Sequence, residues 1–304
     1  MTIIAILLSL VLERTVESLR GYRVFGWYER YTNWVRDVLN SDLWDGPWGV
    51  LVVILPPVLL TGMIAHAFSE SLFGLLEILF AIIVLFYSFG PKDLDEQVDG
   101  YLQALEEDDK EKANLIAADI LHGDVPDNMQ DTQQELGEAI FIQANERVMA
   151  VIFWFVLLGP MGALLFRLTD YGMKHCRDTS SNFNIAITRL QNILAYVPAH
   201  LCALGFALAG SFEHAWRGWQ LHMEQLAGDW QQQWRDALVK VGMASLCLEP
   251  HEVETVSETP EVEQPELDIQ LLQEHIRAVL GLVWRTVIIW LVIIALATLL
   301  GFSS

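Results

Sequence analysis

Apolar residues in this chain gather in long runs, not in short alternating patterns. Residues 48–68, 72–90, 148–166, 190–212 and 278–302 are each dominated by aliphatic and aromatic side chains. A helix needs about 20 such residues to cross a ~30 Å hydrocarbon layer, so these runs predict membrane helices. Residues 1–12 are apolar but shorter. No Lys or Arg precedes them, no small-residue cleavage site follows, and Glu13-Arg14 comes directly after. They are expected to stay attached as a short first membrane segment, not to leave as a signal peptide.

Two of the runs carry breaks. Pro56-Pro57 is expected to kink or interrupt the first arm of a 48–68/72–90 hairpin, because neither proline donates to the helix ladder. Gly159-Pro160 divides 148–166 at its middle. The run either crosses once with a kink or turns back as a re-entrant pair of half-helices, and the charges of the following segment bear on both topologies.

Between the runs the apolar spacing becomes helical and the polar content rises. Asp93 and Glu96 have capping-box spacing, and Leu94, Val98, Tyr101, Leu102 and Leu105 follow on one helical face. Residues 113–121 resume a helix after a charge run at 106–112. Residues 122–131 predict a loop. Thr132 and Glu135 repeat the capping pattern and start a helix that passes Leu136 and Ile140 and enters the membrane near Arg147. Residues 168–189 are polar and predict a loop. Residues 212–247 place Trp216, Trp219, Trp230 and Trp234 on an amphipathic or interfacial helix, and 250–265 is an acidic flexible loop. The expectation is an all-α, multi-pass helical membrane protein with amphipathic cytoplasmic helices and no sheet. Its segments are 1–90, 91–143, 144–212, 213–277 and 278–304.

Charge orients this picture. Arg14, Arg20, Arg23, Arg30 and Arg36 cluster before the first long run, which assigns 13–47 to the cytoplasm. Tyr22, Trp27, Tyr28, Tyr31 and Trp34 lie among them, a mixture suited to the membrane–water interface. The formal net charge is −21, concentrated in 92–146 and 249–274. Such acidity excludes nucleic acid as a partner and leaves the lipid bilayer, a cytoplasmic protein and an anionic small ligand. The three cysteines, Cys176, Cys202 and Cys247, form no CxxC pair, so neither a disulfide framework nor a zinc site is expected. His214 and His222 have no carboxylate completing a metal set. No phosphate-binding loop, nucleophile elbow or HExxH pattern occurs, and no cofactor is implied.

Ionisable residues near membrane segments are costly and tend to face a partner or a wet cavity. On that ground the candidate ligand-binding residues are Glu13, Arg14, Glu77, Glu146, Arg147 and Arg167. Glu77 also fits a plain interhelical contact, and Glu146-Arg147 a boundary ion pair. Lys92 and Asp93 follow the helix stop Gly90-Pro91, at a fresh helix N-terminus that favours an anion. A cap with a solvated acidic face explains them equally. The paired breaks also resemble the discontinuous helices of transporters, although no inverted repeat accompanies them.

Four stretches carry a resemblance. LLSLVLER at 7–14, YSFGPKDLDEQV at 87–98, ANERVMAVIFWFVLLGPMGALLFRL at 144–168 and RLQNILAYVPAHLCAL at 189–204 resemble the AmpE family of inner-membrane regulatory signalling modulators. That family is in turn distantly similar to the CobD/CbiB adenosylcobinamide-phosphate synthases. From its Glu onward, the synthase pattern AENTSDGxxAPLFW falls on 142–154, where Phe153 and Trp154 match and Glu146 stands in place of the Asp. The pattern LDDLANWxPAR falls on 190–200. Pro198 fits there, Gln191-Asn192 replace the acidic pair, and His200 replaces the Arg. GYRNERY has no counterpart near 174–183. The resemblance implies a kept scaffold with changed polar groups, Asn192 among them. It implies a bacterial inner-membrane protein that modulates β-lactamase induction and the response to cell-wall antibiotics. A membrane enzyme or a nucleotide- or phosphate-binding protein related to the synthases is the alternative.

Overall fold

The computed structural model describes residues 2–15, 25–39, 44–69, 74–89, 94–126, 128–175, 181–224, 230–246 and 265–300. Among them all regular structure is helical, and the chain is an all-α membrane protein. The helices are α1 (Thr2–Thr15), α2 (Gly26–Val38), α3 (Pro47–Ser69), α4 (Leu75–Ser88), α5 (Leu94–Glu106), α6 (Lys110–Leu121), α7 (Met129–Ala144), α8 (Ala150–Leu158), α9 (Pro160–His175), α10 (Ser181–Ala209), α11 (Phe212–Glu224), α12 (Trp230–Ser245) and α13 (Pro265–Leu299). A single π-helical turn, Asn145–Met149, joins α7 to α8. Among the described residues four stretches are long and apolar enough to cross a membrane: Pro47–Phe68, Gln130–Leu158, Asn182–Ala209 and Gln270–Leu299.

The chain forms two compact units. The first holds 1–91, 146–198 and 291–304; the second holds 92–145 and 199–290. In the first, α9 packs against α2, α3, α4 and α8, and α1 lies along α4. Its core joins Phe25, Tyr28 and Val35 to Val53, Ile54 and Val58 of α3, Leu164 and Leu168 of α9, and Phe183 and Ile187 of α10. In the second, α12 packs against α7 and α11, while α5, α6 and α7 pack together. Asp109 caps α6 by accepting from the Lys112 amide at 3.1 Å. At the far end of α6 the Gln143 side-chain amide donates to the Ile120 carbonyl, one of the last-turn acceptors without a helical donor. The Trp284 indole donates to both carboxylate oxygens of Asp95 at 2.9 and 2.7 Å, tying α13 to α5.

Several expectations change. The run 148–166 is not one span. Gly159 adopts φ 66°, ψ −154°, a region essentially reserved for glycine, and Pro160 then opens α9 as a first helical residue. A Cβ on Gly162 would lie 2.2 Å from the Trp154 carbonyl oxygen. In a continuous helix, residues eight apart are about 12 Å apart, so the chain turns back on itself as a helical hairpin. In the stretch 168–189, expected as a loop, the described residues are helical: α9 runs to His175 and α10 begins at Ser181. Its polar residues read as loop because the partners that bury them are remote in sequence. The 72–90 run yields only the 14-residue α4. Helix α7 starts at Met129 with Asn128 as its cap, which accepts from the Gln130 amide at 3.1 Å. Thr132 lies in the first turn, and its hydroxyl donates to the Asn128 and Pro126 carbonyls. The capping pattern at Asp93 and the acidic loop at 250–264 lie outside the described residues.

Pro56-Pro57 neither kinks α3 apart nor ends it; the helix runs through both. A proline at 56 deprives the Val52 carbonyl of its i+4 donor. The Tyr31 hydroxyl of α2 donates to that carbonyl at 3.2 Å. Tyr31→Phe should therefore cost about 1 kcal/mol in detergent unfolding measurements. In a Pro56→Ala background, which restores a backbone amide within reach of the Val52 carbonyl, the same change should cost almost nothing. Equal costs in both backgrounds would remove the tyrosine from this role.

Candidate functional site

The π turn and α9 together assemble a buried ion cluster in the first unit. A π turn inserts one extra residue into the helical ladder and rotates the side chains beyond it. Here it places Glu146, only 3% exposed, against α9. On α9, Arg167, Asp170 and Lys174 are spaced i, i+3, i+7 and share one face. Lys174 Nζ lies 2.8 Å from Glu146 Oε2 and 2.9 Å from Asp170 Oδ1. Arg167 Nη1 lies 2.9 Å from Asp170 Oδ2. One ammonium thus bridges two carboxylates from separate helical segments, and a guanidinium holds the far side of the second.

Aromatic residues wall the cluster. The Arg167 guanidinium carbon is 5.5 Å from the centroid of the Phe25 ring, within cation–π range. Phe25 in turn lies 4.9 Å from the Tyr171 ring and 4.6 Å from Tyr87. The Tyr171 hydroxyl donates to Glu29 Oε1 at 2.6 Å, linking α9 to α2. The Trp154 indole donates to the Leu194 carbonyl at 2.9 Å, tying α8 to α10.

Asp170 and Lys174 sit in the second half of α9, outside the four long apolar stretches. Burial alone would raise the Asp170 carboxyl, yet the adjacent Lys174 and Arg167, with Arg147 beyond them, hold it below its ordinary value. Burial alone would lower Lys174, but Asp170 and Glu146 raise it above its ordinary value. Both groups are therefore charged at neutral pH. Two carboxylates, Glu146 and Asp170, are thus paired with the cations Arg167 and Lys174, and Arg147 adds to the positive potential at Asp170. Arg167 Nε and both polar atoms of the buried Gln191 side chain are without a hydrogen-bond partner. Lys174, 27% exposed, is the member of the Glu146–Asp170–Arg167–Lys174 set that reaches solvent.

Of the residues singled out from sequence, the structure brings together Glu146, Arg147 and Arg167. Asn192 is buried on α10 in the same unit. Glu77 is in the first turn of α4, where the helix dipole favours a carboxylate. It is ten residues, about 15 Å along the helix axis, from Tyr87, which borders the cluster. Glu13 is in the last turn of α1. Lys92, Asp93 and the Arg14 side chain lie outside the described residues. Sequence reading missed Asp170 and Lys174 by assigning them to a loop. The signal available was the Arg-x2-Asp-x3-Lys spacing, which places all three on one helical face. Among the described residues no group of three His, Cys, Asp or Glu side chains is placed to hold a metal ion.

The family model described as CobD/Cbib protein matches residues 2–237, and the chain belongs to that family of membrane proteins. Among curated relatives, the cobalamin biosynthesis protein CobD of Chromobacterium violaceum is 28% identical over 169 residues, 54% of each chain. The protein of the same description from Stutzerimonas stutzeri is 29% identical over 145 residues, 46% of this chain and 47% of its own. The chain thus spans about half the length of these relatives. Protein AmpE of Shigella flexneri is 22% identical over 251 residues, 79% of this chain and 80% of its own. No solved structure matches.

Removing one partner of a buried ion pair typically costs about 3–5 kcal/mol, and Lys174→Ala takes an ammonium from both Glu146 and Asp170, the latter keeping Arg167. It should lower the thermal midpoint in detergent by more than the exposed control Arg217→Ala. The pH dependence has two limbs. The lowered Asp170 contributes stability above its ordinary value of 3.8, lost as pH falls through its folded value. The raised Lys174 contributes stability below its ordinary value of 10.5, lost as pH rises through its folded value. The midpoint should hold a plateau between those pH values and fall on both sides. Lys174→Met should abolish the alkaline fall while leaving the fold detectable by circular dichroism. An alkaline limb unchanged in that variant would refute the assignment.

Proposed function

We propose that this protein is an inner-membrane, multi-pass regulatory component that modulates β-lactamase induction and the response to cell-wall antibiotic stress. The ion cluster between the π turn and α9 is its ligand-responsive element. The observation that carries the reading is charge matching at that cluster. A carboxylate that serves as a general base or binds a metal–nucleotide needs oxygens open to substrate. Asp170 is instead bridged by Lys174 and Arg167, and Glu146 by Lys174. Likeness to Protein AmpE over 79% of the chain supports the regulatory reading. The acidic surface of α5 to α7 offers a second contact, for a cytoplasmic protein partner.

The alternative is a membrane enzyme or phosphate-ligand-binding protein related to cobinamide-phosphate synthases. The match of the CobD/Cbib model to most of the chain favours it. Gln191-Asn192, standing where the synthase resemblance expects two acidic residues, weighs against the synthase reaction itself.

A deletion strain should show an altered level or timing of β-lactamase induction by sub-inhibitory β-lactams. A chromosomal Arg167→Lys variant, which keeps the charge but loses the planar guanidinium that lies against Phe25, should reproduce part of that change. Unaltered induction under every inducer would defeat the regulatory reading. Turnover or stabilisation of the purified protein by ATP or a phosphate monoester, lost in Lys174→Met, would favour the alternative.

A further inference from the structure

Helix α11 presents two unlike faces. One is pressed against α12 through a seam of small residues. A Cβ on Gly218 would lie 2.6 Å from the Lys240 carbonyl oxygen, and one on Gly210, just before the helix, 2.5 Å from that of Ser245. Ala215 and His222 are buried on the same side, and the Ser211 amide donates to the Ser245 carbonyl at 2.9 Å. Such close backbone approach over glycine and alanine is how helices pack where lipid is the solvent.

The neighbouring face carries Phe212, Trp216, Trp219 and Met223, spaced i, i+4, i+7, i+11, a single stripe along the helix. Phe212 is 56%, Trp216 55% and Met223 51% exposed. Beyond the stripe lie Glu213 and Arg217, which pair with each other at 3.1 Å and are both exposed. The helix has 13 residues, about 20 Å, too short to cross a hydrocarbon layer of ~30 Å. It follows directly on α10, with only Gly210 and Ser211 between, and α10 ends with Leu204 and Leu208 exposed.

We propose that α11 lies in the plane of the membrane–water interface, with Phe212, Trp216 and Met223 among the lipid acyl chains, Trp219 beside them packed against His200 and His222, and Glu213–Arg217 toward the headgroups. Three observations select lipid as the occupant. The stripe has the aromatic composition of an interfacial belt. The helix is too short to span. Its chain continues from the exposed apolar end of a stretch long enough to span. The device places α11 and its partner α12 at the bilayer surface.

The test is environment-sensitive labelling of the full chain in phospholipid vesicles. Single cysteines replace Phe212, Trp216, Met223 or, as control, Arg217, and each is labelled with a nitrobenzoxadiazole dye. Identically labelled wild-type protein supplies the background from the native cysteines. Labels at 212, 216 and 223 should emit to the blue of the label at 217. They should also be quenched several-fold more strongly by lipid carrying a shallow nitroxide, and less by aqueous iodide. Labels at those three positions that respond to iodide like position 217 would overturn the proposal. So would labels shielded from both quenchers, which would mean that protein, from a second copy or another chain, covers the stripe. Circular dichroism of each variant guards against misfolding, and three independent stripe positions keep the outcome decisive if one fails to fold.

Discussion

The first unit depends on one ammonium. Lys174 reaches from the last turn of α9 to two carboxylates, Asp170 on its own helix and Glu146 in the π turn. Buried carboxylates carry a desolvation cost of several kcal/mol each, offset only by close opposite charge and good geometry. Without Lys174 the π turn would aim Glu146 at α9 without this ammonium to meet it. Arg167 completes the arrangement from the other side of Asp170 and rests on Phe25, so the electrostatic centre and the aromatic core hold each other in place. A cluster of this kind gives little net stability relative to an apolar core. Its value lies in specifying one register between α9 and the helix that carries Glu146.

That register also needs the hairpin between α8 and α9. Gly159 takes a backbone conformation closed to other residues, and Gly162 lets the returning helix approach the Trp154 carbonyl. Pro160 supplies a helix start whose missing amide costs nothing in the first turn. The polar half of α9 is thereby returned toward the π turn that precedes α8. The same economy of backbone groups explains α3, where two consecutive prolines sit inside a continuous helix. The Tyr31 hydroxyl takes over the carbonyl freed by Pro56, so α2 serves both as an aromatic surface and as a donor to its neighbour.

Family membership and local chemistry point in different directions here, and both are informative. The scaffold matches the CobD/Cbib model from residue 2 to residue 237. The polar groups within it are cations paired with carboxylates around Glu146 and Asp170 and a buried, neutral Gln191-Asn192 pair on α10. A fold by itself does not fix the chemistry of its site.

By itself the sequence determined the solvent and the class. Runs of 20 or so apolar residues admit only helices, because backbone amides in lipid must be satisfied within the segment. The Gly159-Pro160 pair announced a discontinuity, and Glu146, Arg147 and Arg167 were recognisable because charge beside a membrane run is expensive. Only the tertiary structure decided that the discontinuity is a full turn, that 168–175 is helix, and that Asp170 and Lys174 complete the cluster. Residues 168–189 looked like a loop because their polarity is balanced by Glu146, more than twenty residues away, and no local pattern reports such a partner. Likewise Pro56 looked like a break because its remedy is a hydroxyl on another helix. Periodicity records which face of a segment is apolar; which remote group neutralises a buried charge or an orphan carbonyl is settled only when the helices pack.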